Sequence, residues 1–79
     1  MNGVSIDKLN KGTKFIIQNF SLDRIQKLEL MELGILPKIQ MQLLHKSRFG
    51  SAIIKCNGIK YAIDSSIAQK WLTSESTSI

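Results

Sequence analysis

His45 and Cys56 are the single imidazole and the single thiol of the chain. With six Asp and Glu they make up its stock of imidazole, thiol and carboxylate groups. Nucleophilic catalysis requires an attacking group held beside a base that a third group orients. No motif supplies His45 with a Ser or Cys partner, and Cys56 lacks the cluster of basic neighbours that marks a reactive thiolate. Asp7, Asp23, Glu29, Glu32, Asp64 and Glu75 are scattered, and no two stand as an acid and base pair. The expectation is a chain with no catalytic residues, not an enzyme.

Imidazole and thiolate both accept late divalent ions. His45 and Cys56 lie eleven positions apart without a further ligand at short spacing, and one Cys with one His cannot close a zinc site of the Cys/His type. No metal site and no cofactor are therefore assigned; weak binding of a transition metal is the most these residues support. Gly34, Gly50 and Gly58 stand alone at separate turns and do not form a phosphate-cradling loop.

The charge gives a different signal. Eleven Lys and Arg against six Asp and Glu leave a formal charge of +5. Lys46, Arg48, Lys55 and Lys60 gather on predicted hairpins near Phe49 and Tyr61, an arrangement by which small barrels bind single strands. No RNA-binding aromatic signature accompanies them, and lysines on exposed strands also blunt sheet edges. A solvated basic face is the preferred reading, without a nucleic-acid partner.

These groups must be positioned by a small scaffold. Seventy-nine residues, 43% of them hydrophobic and 22% charged, suit one globular domain with a modest core. A lone cysteine forms no internal disulfide. No apolar run exceeds four residues, too few for a membrane span. Met1 to Asp7 lacks a basic stretch followed by an apolar one, so no signal peptide is expected. The setting expected is the cytosol.

Ser5 to Leu9 reads as a capped helical turn, broken at Asn10-Lys11-Gly12. Thr13 to Phe20 is β-branched and aromatic and predicts a strand. Ser21 as cap, Asp23 in the first turn and Gly34 as stop predict a helix over Leu22–Leu33. Its apolar positions Leu22, Ile25, Leu28 and Met31 are spaced by threes and drift around the axis. Either the helix is wedged among neighbours or it leaves apolar side chains exposed. After the turn at Gly34–Lys38, Ile39 to His45 alternates as a half-buried strand. Ala52–Cys56 and Ile59–Ile63 flank Asn57-Gly58, the signature of a type I′ hairpin. Asp64 or Ser65 caps a last helix through Leu72, with Ile67, Ala68, Trp71 and Leu72 on one face. Residues 1–73 form one domain on this reading, and 74–79 a disordered tail. Short antiparallel strands of this kind suggest a small barrel, whose closure removes exposed edges.

Leu30, Leu33, Ile35 and Leu36 fall within seven residues, an excess for one face of a helix in so small a core. Contiguous exposed apolar surface marks interaction sites. Leu30, Leu33, Ile35, Leu36 and Pro37 are the candidate contact residues, with Lys38, Arg48 and Phe49 at the rim. Such a patch also supports a weak homo-oligomer.

The segment Leu28-Glu29-Leu30-Met31-Glu32-Leu33-Gly34-Ile35-Leu36-Pro37 resembles the leucine-rich helix, Leu-Gly and turn proline of the ferrous iron transport protein A (FeoA) family. Ser5-Ile6-Asp7-Lys8-Leu9 with Gly12 is similar to that family's opening turn. Phe49-Gly50-Ser51 stands where the family has Leu-Gly-Asp, and Gly58–Ile63 with Ala68 resembles its closing hairpin and terminal helix. The likeness spans residues 5–72. It departs at Lys38, which occupies a glycine position, at Ala52 in place of a proline, and at Asp64 in place of a basic residue. Between Gly50 and Gly58 the chain is one residue short, which implies a different bulge or register.

The resemblance implies a mainly β fold with short helices: a small SH3-like β-barrel with a helix inserted after the first strand and a short C-terminal helix. It further implies a cytoplasmic accessory protein of bacterial ferrous iron uptake. The partner implied is the cytosolic domain of a GTP-binding ferrous iron permease, which would hold the protein at the inner membrane without inserting it. Two alternatives are an SH3-like metal-responsive regulatory module acting in trans and a basic barrel binding single-stranded nucleic acid.

Overall fold

The computed structural model describes residues 3–75. Its elements are β1 (Val4–Ser5), a 3-10 turn (Ile6–Lys8), β2 (Lys14–Phe20), α1 (Arg24–Glu32), β3 (Met41–Lys46), β4 (Ala52–Cys56), β5 (Ile59–Ile63), α2 (Ser65–Ala68) and β6 (Trp71–Glu75). The six strands form one antiparallel sheet in the order β1-β6-β2-β3-β4-β5. The barrel expected from the sequence is open: β1 and β5 are free edges of the sheet and do not pair with each other among the described residues.

Alternation builds the core. In β4, Ala52, Ile54 and Cys56 are buried while Ile53 and Lys55 face out. In β2, Phe15 and Ile17 are two apart, yet the next buried residue is Phe20, three further on. A bulge between Ile17 and Asn19 absorbs the extra residue and returns Phe20 to the core side. Phe20 meets Trp71 edge to face at 5.9 Å between ring centres. Asn57 and Gly58 both take positive φ (54° and 80°), as a type I′ turn requires, so the β4–β5 hairpin forms as expected.

The last helix is shorter than the sequence suggests. It stops at Ala68, and Trp71 to Glu75 is a strand instead. Ile67, Ala68, Trp71 and Leu72 therefore do not share a helical face. Tertiary pairing overrides the local pattern: β6 is flanked by β1 and β2, Trp71 is fully buried, and the Thr73 hydroxyl donates to the Val4 carbonyl at 3.0 Å. Ser74 and Glu75 pair with Ile16 and Phe15, so the sheet runs past the boundary expected at residue 73. Residues 1–2 and 76–79, including most of the expected tail, lie outside the described residues.

Helix α1 starts two residues later than expected. Asp23, not Ser21, is its cap: the Asp23 carboxylate accepts from the Gln26 amide at 2.8 Å, and the Gln26 side chain accepts from the Asp23 amide at 3.4 Å. At the other end Gly34 takes φ +89°. Its N–H donates to the Met31 carbonyl, and the Ile35 N–H reaches back to Leu30, both at 3.0 Å. This pair of bonds is a Schellman stop.

The chain next turns at Leu36-Pro37-Lys38-Ile39, where the Ile39 N–H donates to the Leu36 carbonyl at 3.4 Å. Pro37 followed by a residue of positive φ is type II turn chemistry, and that residue is Lys38, at φ 74°. A side chain there costs about 1 kcal/mol relative to glycine. Lys38→Gly is expected to raise the thermal midpoint by roughly 4–8 °C for a domain of this size. Lys38→Val, β-branched, is expected to lower it; calorimetry on the three proteins checks both signs.

Candidate docking surface

Of the nine residues of α1, Leu30 alone is buried. The helix presents two other surfaces. Ile25, Leu28 and Met31 stand in the open, Ile25 with 69% of its surface accessible. Gln26, Glu29, Leu30 and Leu33, spaced as one helical stripe, line a cleft against Ala62, Ile63 and Asp64 at the end of β5 and Ile67 of α2. The cleft has a volume of about 230 Å³ and an apolar floor. The Tyr61 hydroxyl donates to the Leu33 carbonyl at 2.8 Å and ties the end of α1 to β5.

The contact residues expected from the sequence separate. Leu30 and Ile35 belong to the core, 5% and 0% exposed; neither stands on the open face of the helix, and Leu30 reaches only the floor of the cleft. The Schellman stop explains this correction: its two bonds fold Ile35 back toward Leu30, and an apolar pair at those two positions accompanies the motif. Leu33 is exposed, Leu36 half-buried, and Pro37 and Lys38 exposed. Arg48 and Phe49 are exposed on the β3–β4 loop. That loop joins the start of β4, whereas the Gly34 carbonyl lies 3.8 Å from the Cys56 sulfur at the end of β4. A strand length, roughly 14 Å, thus separates the two groups. Ile25, Leu28 and Met31 are the surface residues missing from the expected set. Their spacing by threes was the available signal, but the side of the helix that meets the sheet is a tertiary fact.

The groups with reactive chemistry are also apart. His45 is exposed opposite Ile53, while Cys56 is buried opposite Met41 at the other end of the β3–β4 pair. Among the described residues no group of three His, Cys, Asp or Glu is placed to hold a metal ion. Lys55 and Lys60 are direct cross-strand neighbours on the outer face, and the Lys46 ammonium donates to the Asp7 carbonyl at 2.9 Å.

A six-stranded antiparallel sheet with one helix between its second and third strands defines an SH3-like domain. The FeoA domain family matches residues 4–70. The chain belongs to that family, whose members are small domains associated with iron transport. No curated protein sequence matches it. Among solved structures, the crystal structure of an iron uptake regulatory protein (FeoA) is 24% identical, with a TM-score of 0.77 over 91% of this chain and 94% of that one. The FeoA protein from Chlorobium tepidum is 16% identical, with a TM-score of 0.80 over 91% of this chain and 70% of that one. ScaR with bound Cd2+ is 12% identical, with a TM-score of 0.81 over 92% of this chain but 35% of its own. At these identities the structures establish the shared fold.

Burial pushes the Cys56 thiol above its ordinary pKa. The native state then keeps the thiol proton to higher pH than the unfolded chain. The resulting stability is complete below the ordinary thiol range, about 8.5, and is lost as pH rises toward the folded value. Between about pH 8 and 10 the denaturant midpoint is expected to fall in the native protein and to fall less in Cys56→Ala. A thiol reagent at pH 8 is expected to label Cys56 slowly until denaturant is added.

Proposed function

We propose that this chain is a non-enzymatic accessory module of bacterial ferrous iron uptake that docks on the cytosolic domain of a GTP-binding ferrous iron permease and modulates transport. The family membership supplies the iron-transport setting. The observation that carries docking is α1: a capped and firmly stopped helix that gives one residue to the core and leaves Ile25, Leu28, Met31 and the adjoining Leu33 about half exposed or more. Such a surface on a small domain marks an interface. Leu36, Pro37 and Lys38 extend it, and Phe49, 79% exposed, offers a second anchor from the β3–β4 loop. In the cell the protein works in the cytoplasm, held at the inner membrane through the permease. No helix among the described residues is long and apolar enough to cross a membrane.

The test is capture of the permease's purified cytosolic domain on immobilised protein. Leu28→Asp and Leu33→Asp, both at exposed positions, are expected to keep the native melting curve and to weaken capture at least tenfold, about 1.4 kcal/mol. Equal capture by both variants and the native protein removes this surface from the function.

A further inference from the structure

The β5 edge and the cleft beside it carry a second conclusion. The β4–β5 register runs without a bulge from Cys56↔Ile59 to Ala52↔Ile63. In a two-residue hairpin the pair next to the turn is hydrogen-bonded, and the pairs then alternate. Ile59, Tyr61 and Ile63 thus bond to β4, and the N–H and C=O groups of Lys60 and Ala62 point to the open side. No other backbone or side-chain group among the described residues bonds to them. Ala62 also lines the apolar cleft, whose far wall is α1. A strand edge with free main-chain groups thus runs along a groove that accepts a side chain.

We propose that this groove binds an extended peptide segment of a partner protein, which adds a strand to β5 at Lys60 and Ala62 and seats one large apolar side chain among Leu30, Leu33, Ile63 and Ile67. Strand addition draws affinity from main-chain bonds and selectivity from the pockets beside them. The rim sets the charge of the ligand. Glu29 and Asp64 are exposed at the cleft in a chain with only six carboxylates and a charge of +5. They favour Lys or Arg beside the apolar anchor. A second copy of the chain fits poorly. Pairing through the outward groups of β5 places Lys55 and Lys60 of both copies on one sheet face, four cations together. The proposal takes from the preceding reading only that the partner is a protein.

Ala62→Pro deletes the outward N–H without touching the β4 ladder, a substitution that edge strands accept. Glu29→Lys reverses the rim charge. Two probes are offered to the native protein and to both variants: a pool of blocked heptapeptides that carry one Lys or Arg beside a Leu, Ile or Val anchor in an otherwise Ser and Thr sequence, and the permease's cytosolic domain. The native protein is expected to bind the pool, Ala62→Pro at least tenfold more weakly and Glu29→Lys several-fold more weakly. Bound peptide is expected to protect the Lys60 and Ala62 amides from hydrogen exchange, a readout that does not depend on a variant folding. No binding of the pool, equal binding by Ala62→Pro, or unprotected amides in the complex each overturn the proposal, as does a dimer formed through β5. Permease capture that Ala62→Pro leaves intact preserves the docking function and rejects this groove. Pool binding without permease capture does the reverse.

Discussion

Two hydrogen bonds and an apolar pair at the end of α1 decide which side of the inserted segment meets the sheet. Gly34 in the left-handed region lets the chain turn back, so Leu30 and Ile35 enter the core together. With those two fixed, the stripe of Gln26, Glu29 and Leu33 faces β5, and Ile25, Leu28 and Met31 face away. The helix has little other anchorage: the Tyr61 hydroxyl at Leu33 and the burial of Leu22 before its start. A residue with a side chain at position 34 would strain this stop and loosen both surfaces at once.

The segments with strong local signals were legible in the sequence. Asn57-Gly58 requires a particular turn, alternation in β4 requires a half-buried strand, and the aromatic and β-branched run of β2 requires an extended backbone. The elements that sequence reading missed are those decided by residues far along the chain. Trp71 and Leu72 follow Ile67 and Ala68 at helical spacing, and only pairing with Phe20, Asn19 and Ser5 makes them a strand. Val4 and Ser5 alone carry no strand signal, because two residues have no period.

The candidate surface was legible as an excess but not as a geometry. Counting leucines located the unusual segment between Leu28 and Pro37. It did not separate core members from surface members, since the Schellman stop sets that division and leaves Leu33 out while taking Ile35 in. The cleft was invisible to sequence reading for a related reason. Its walls come from α1, β5 and α2, and its open edge follows from the absence of a β1–β5 pairing among the described residues.

The placing of β6 between β1 and β2 also bears on synthesis. Val4 and Thr73 are bonded across 69 positions, and among the described residues β1 lies against no other strand. On the ribosome the β3–β4–β5 meander has all its partners early, whereas β1 and the 3-10 turn must wait until Thr73 has left the exit tunnel. The sheet is completed late, by a contact of long sequence separation and therefore slow to form. Until then Phe20 lacks its ring contact with Trp71 and β2 lacks its partner β6, so the nascent chain holds an apolar strand edge open.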